Sequence, residues 1–232
     1  MRLIRTRSIT ASLLVVFSLS LFLAAQDAGS SSSLSAKHAK QPAAAKGSTS
    51  LEPGSVVMNI YRNKMLGLTC KVPVGWVLRT EEMNTPLGAA SDAASGSGNP
   101  GPASTVAARV LLAAFSRPPD ARGEDVNSSI LIAAENQFVY PGLKEAAQYF
   151  GPLIEVAKAQ GLTPDEDPYE VAVGGKTLVR GDFHKNVGSR VMHQSTLAML
   201  SHGYAISITL IGGTDDEVEE LIDGLSFVTG AK

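Results

Sequence analysis

YEVAVGGKTLVRGDFHKNVGSRVMHQSTLAMLSHGYAISITLI, residues 169–211, decides the fold. It divides into four runs, Tyr169 to Val173, Lys176 to His184, Arg190 to Leu200 and Tyr204 to Ile211. They are separated by Gly174-Gly175, by Val187-Gly188-Ser189 and by Ser201-His202-Gly203. Apolar and β-branched runs of strand length with short turn signals between them predict an antiparallel meander of four strands. Crossovers of a dozen or more residues, which parallel pairing requires, have no room here.

Downstream, Thr214 and Glu217 have capping-box spacing, Asp215 and Asp216 suit a helix N-terminus, and Val218, Leu221, Ile222 and Leu225 form one apolar stripe. A closing helix is expected there, with Ser226 to Thr229 returning as a last strand. Upstream, Leu143, Ala147, Phe150, Ile154 and Ala157 recur at helical spacing after Pro141-Gly142, and Gly161 supplies a stop. Gly151-Pro152 interrupts that stripe, so a kink or two short helices are expected, because proline lacks the amide donor and crowds the preceding turn.

Further upstream, Val106 to Ser116 and Ser128 to Glu135 are apolar runs of strand length. Val56 to Tyr61 and Leu66 to Val72 read as two strands joined by Arg62-Asn63-Lys64-Met65, followed by a short strand at Val77 to Thr80. Residues 84–104 are mostly Ala, Ser, Gly and Pro with Asp92 as the one charge, which predicts a flexible loop. Strands, a helix, a run of hairpins and a closing helix define an α+β domain, an antiparallel β-sheet flanked by helices. Alternating β and α units and a Gly-rich phosphate fingerprint are both missing, which excludes a doubly wound dinucleotide fold.

The first 51 residues have a different composition. Arg2, Arg5 and Arg7 precede an apolar stretch from Ile9 to Leu23 that ends in Ala24-Ala25, the layout of a secretory signal peptide over residues 1–25. The 17 residues from Ile9 to Ala25 also reach the lower length limit for a span, so a retained anchor is the alternative. Residues 26–51 are a Ser, Ala and Lys-rich tether with little to bury. Residues 52–232 then form a single domain, secreted or periplasmic, with the membrane as a partner only if the leader is kept.

From Glu52 onward 14 Lys and Arg stand against 21 Asp and Glu, a net of minus seven. Nucleic acid is therefore not an expected partner, since such binding rests on neutralising phosphates. Cys70 is the single cysteine, so no internal disulfide forms. Its alternation with Leu66, Leu68 and Val72 predicts a buried, inert thiol.

The order of pieces resembles the PsbP-like family, named for an extrinsic subunit of photosystem II and including bacterial exported proteins and Ran-binding Mog proteins. The resemblance rests on Tyr61-Arg62-Asn63 before Gly67-Leu68, on Val72-Pro73-Val74-Gly75-Trp76, on His202-Gly203-Tyr204, and on Thr214-Asp215-Asp216-Glu217-Val218. It implies an α/β/α sandwich around the antiparallel sheet. For function it implies a binding or assembly module, not an enzyme, whose partner is an unknown protein or envelope component. No segment matches a photosystem-docking element, and Ran binding has no place in an exported protein.

Two constellations are candidate sites. If the hairpin turn centres near Gly188-Ser189, His184 faces His193 with Asp182 and Ser195 one step along. That arrangement suits a divalent metal held by His184, His193 and Asp182, against the plainer reading of two histidines on a sheet surface. Trp76, Tyr61 and Tyr204 form a possible recognition surface, against the plainer reading of core packing. No nucleophile elbow or other catalytic motif is present, and no resident cofactor is expected outside the metal alternative.

Overall fold

The computed structural model describes residues 51–85, 108–119 and 126–228. The expected leader, most of the tether and all but the first two residues of the 84–104 loop lie outside the described residues. Among the described residues, no helix is long and apolar enough to cross a membrane.

Among the described residues, twelve strands and three α-helices follow in order: β1 Ser55–Val57, β2 Ile60–Asn63, β3 Leu68–Lys71, β4 Val77–Leu78, α1 Thr80–Asn84, β5 Ala108–Phe115 and β6 Ser129–Asn136. Next come α2 Ala146–Ala159, β7 Thr163–Pro164, β8 Tyr169–Val173, β9 Lys176–Val187, β10 Arg190–Ser201, β11 Tyr204–Gly212, α3 Asp215–Asp223 and β12 Leu225–Phe227. The fold is α+β, with every strand pair antiparallel.

The meander forms as its turns dictate. Gly174 and Gly175 both have positive φ, the backbone a two-residue hairpin turn needs, and β8 pairs with β9 from Tyr169↔Arg180 to Val173↔Lys176. His202 and Gly203 repeat that geometry between β10 and β11. The large sheet runs β4-β5-β6-β11-β10-β9-β7, with β8 also on β9, and a small sheet runs β1-β2-β3-β12.

Alternation gives the large sheet two apolar faces. Ile130, Ile132, Leu197, Ile206, Ile208 and Leu210 pack with Tyr61, Leu68 and Cys70 of the small sheet and with Val218, Leu221 and Ile222 of α3. The opposite face meets α2, where Tyr149 and Phe150 pack with Val179, Ala198 and Ala205. Three layers result, the small sheet and α3 on one side and α2 on the other. Phe150 lies against Gly181, where an added Cβ would come within 2.5 Å of its Cε1.

Several expectations are corrected. The stretch Val56 to Tyr61 is not one strand, because Met58 and Asn59 both adopt left-handed φ and fold it into the β1–β2 hairpin. β4 stops at Leu78, and Thr80–Asn84 is helical. Of the two outcomes expected at Pro152, separate short helices do not form: α2 is one element of 14 residues, anchored by buried Tyr149, Phe150 and Ala157 on both sides of the proline. It starts at Ala146, later than Leu143, where Gln148 Oε1 accepts from the amides of Lys144 and Glu145. Leu51, placed at the end of the tether, is 2 % exposed and belongs to the core.

At α3, Thr214 Oγ1 accepts from the Glu217 amide as expected. The Glu217 carboxylate reaches one residue further back than a capping box would, taking the Gly213 amide at 2.8 Å and the Ser128 hydroxyl at 2.5 Å. Cys70 is fully buried, and burial pushes its thiol up to about 12.

Candidate functional site

Two concave regions hold the candidate residues. The first lies over β9 and β10 beside α3. The β9–β10 register places His184 opposite His193 and Asp182 opposite Ser195, so all four share one face. Their side chains have separate partners. His184 Nδ1 meets Asp165 Oδ1, whereas His193 Nδ1 meets Asp215 Oδ1 at 2.6 Å.

Asp182 is mostly buried and holds three donors. It accepts from Arg180 Nε at 2.9 Å, from the Tyr169 hydroxyl at 3.0 Å and from the Ser195 hydroxyl. Arg180 also reaches Glu219 at 2.5 Å, tying β9 to α3. Burial works against the Arg180 charge, and its bonds to Glu219 and Asp182 outweigh that, raising its pKa. Burial and then the Asp182 hydrogen bond push Tyr169 up to about 12.

This cleft has a volume of about 270 Å³. Among the described residues, no group of three or more His, Cys, Asp or Glu is gathered so as to hold a metal ion. Chemically the cleft is an acidic, ion-paired network, five carboxylates around Arg180, with Asp182 turned inward to its own donors.

The second region is an open groove of about 1730 Å³ along β5. Its walls come from the 51–56 segment, β4, α1 and the turn after β6, and its lining includes Val110, Leu111, Ala134, Arg109 and Tyr204. Phe138 stands on its rim, 90 % exposed, with Leu78 and Val139 also exposed. Arg109 Nη1 is turned to the Leu51 carbonyl at 2.7 Å. Glu81 and Glu82 lie on α1, and Arg79 pairs with Glu82 at 3.0 Å.

The three aromatic candidates separate. Tyr204 is half-buried, packs against the core and lines the groove. Tyr61 also lines it but is 1 % exposed, its hydroxyl donating to the Pro53 carbonyl at 2.9 Å. Trp76 is half-buried against the core at the Pro73–Trp76 turn and is not part of the groove. Phe138, Leu78 and Asn84 escape sequence reasoning. The one signal at Phe138 is an aromatic in Asn136-Gln137-Phe138 just before Pro141-Gly142, a place where turns are polar.

Below the other face of β6, Glu135 accepts from the Tyr140 hydroxyl, and Tyr149 donates to it as well. Burial raises the Glu135 carboxyl to about 7 despite the Tyr149 bond. The two tyrosine rings meet edge to face at 5.3 Å.

The fold and these two concavities define an α+β domain with a polar, ion-paired cleft and a larger apolar-rimmed groove. No protein-family model matches the chain, and no curated protein does. Among solved structures, it is similar to PA94 of Pseudomonas aeruginosa, a protein of unknown function. They share 17 % identity over 44 % of this chain and 68 % of that one, with a TM-score of 0.31. A Bacteroides thetaiotaomicron protein matches at 12 % identity and a TM-score of 0.33 over 71 % of this chain, which spans 46 % of that protein. LpqN of Mycobacterium tuberculosis, involved in cell envelope biogenesis, matches at 14 % identity and a TM-score of 0.33, covering 68 % of this chain and 82 % of its own.

Proposed function

We propose that this chain is an exported, non-enzymatic binding or assembly module built on a PsbP-like α/β/α sandwich, and that it engages a partner protein through the β5 groove. The observation that carries the reading is Phe138, 90 % exposed on the rim of an open groove beside exposed Leu78 and Val139. Covering a Phe side chain is worth about 1.5–3 kcal/mol, so a rim of three apolar side chains is a ready anchor for a partner. The leader at residues 1–25 supports export, and the three layers support the sandwich. In the other cleft, Asp182 is held by Arg180, Tyr169 and Ser195. Recovery of partners from the envelope by wild-type protein and by a Phe138→Asp/Leu78→Asp variant tests the reading. A partner held by wild type and lost from the variant supports it, and equal recovery by both removes the groove.

A second reading, a divalent metal on the β9–β10 hairpin, is favoured by the direct register of His184 with His193. Asp182 contributes less than its position suggests, because three donors already occupy it. Zinc titration calorimetry on wild type beside His184→Ala/His193→Ala decides it, and equal weak heats from both would end the metal reading.

A further inference from the structure

β5 is an edge strand over most of its length among the described residues. Its inner side pairs with β6 from Ala108 to Phe115, while on its outer side β4 reaches only Phe115 and Ala114. The groups beyond are met by α1 and by Arg79 just ahead of it, in place of a strand. Thr80 Oγ1 accepts from the Ala113 amide at 3.0 Å, and the Arg79 amide donates to the Ala113 carbonyl at 2.9 Å. Asn84 Oδ1 accepts from the Val110 amide at 2.9 Å, and Asn84 Nδ2 donates to the Val110 carbonyl at 2.8 Å. One side-chain amide thus reproduces the pair of bonds that a neighbouring strand would make to Val110.

The plug is lightly held. α1 has five residues, buries none of them and has no side-chain cap at its N-terminus. A single-turn helix has little stability of its own, so its position depends on these few bonds. Exposed strand edges are templates for another chain, and proteins commonly cover them. Here the cover lies on the wall of the groove, beside the apolar rim.

We propose that the outer edge of β5 is a strand-addition site, in which an extended segment of a partner polypeptide displaces α1 and pairs with β5 around Val110 and Ala113. The inference rests on the groove reading above and names the partner's chemistry. The outward amide and carbonyl groups of Val110 and Ala113, three residues apart across the irregularity between Val110 and Leu112, call for a polypeptide backbone that bends with β5, and the groove beside them takes its side chains. Charge selects the flanks. With α1 displaced, Arg109 stays turned to the Leu51 carbonyl, and the chain from Glu52 onward carries a net of minus seven, a field that favours a basic segment. The segment is therefore apolar at alternate positions with Lys or Arg at its ends.

The test uses isotopically labelled full-length protein and a capped octapeptide, Lys-Val-Thr-Val-Thr-Val-Thr-Lys, beside a copy with Glu at both ends. Expected are amide shifts at Val110, at Ala113 and through α1, weaker binding of the Glu-ended copy, and binding about tenfold tighter to Asn84→Ala, which lacks the competing bonds. Shifts at Phe138, Leu78 and Tyr204 with none at Val110 or Ala113 would overturn strand addition and leave the groove reading standing. No shift in either protein would also overturn strand addition, while the groove reading answers separately to the Phe138→Asp/Leu78→Asp recovery.

Discussion

Asn84 on α1 and Val110 on β5 are joined by two hydrogen bonds, the side-chain amide donating at 2.8 Å and accepting at 2.9 Å. This is how a strand edge next to the groove is closed without a strand. Asn84→Ala leaves both partly buried Val110 groups without these partners, so a loss of about 1–3 kcal/mol is expected in urea unfolding. Asn84→Asp keeps the acceptor and gives up the donor, and should fall between. A loss below about 0.5 kcal/mol in Asn84→Ala would show that water replaces the plug at no cost.

Gly181 and Phe150 are coupled by space. With an added Cβ only 2.5 Å from Phe150 Cε1, Gly181→Ala should cost roughly 1–3 kcal/mol by overpacking between α2 and β9. Phe150→Leu in the same chain makes room, and the double variant should lose less than the sum of the two single losses. Strict additivity in urea unfolding would contradict the contact.

Asp182 is a structural carboxylate in this account. Asp182→Asn keeps its shape but weakens the bonds from Arg180, Tyr169 and Ser195, for an expected loss of about 1.5–3 kcal/mol. A cycle with Glu219→Gln should show coupling, because both carboxylates share the Arg180 guanidinium. Full additivity would mean that the two act independently.

Glu135 makes stability depend on pH. Its folded carboxyl holds a proton to about pH 7, whereas the ordinary value is 4.5. Between those limits the folded state binds more protons than the unfolded one, so unfolding free energy falls as pH rises from about 4.5 to about 7 and then levels off. Glu135→Gln should flatten that slope in urea unfolding at a series of pH values. An unchanged slope in the variant would assign it to other groups.

The meander was legible because each element obeyed a local rule: β9, β10 and β11 are long, and the turns from β8 to β11 fall at Gly174-Gly175, Gly188-Ser189 and His202-Gly203. The facing of His184 with His193 followed from the same turn. The first hairpin was not legible, because Met58-Asn59 turns without the glycine that usually marks such a bend. α1 is too short to show a period, and the roles of Thr80 and Asn84 depend on β5, some thirty residues away in sequence. The groove shares that difficulty: Leu78, Val110, Phe138 and Tyr204 come from four separate stretches, and only Tyr204 carried a reason to be singled out. The partners of the two histidines depended on loops whose paths no periodicity encodes.

Partner capture through the groove is tested most directly by a photo-crosslinking amino acid at position 138 in living cells, with position 191 on β10, also exposed but outside the groove, as control. The account predicts a discrete adduct from position 138 that disappears when Leu78→Asp is added, and none from position 191. The same adduct from both positions, or none from position 138, would contradict it.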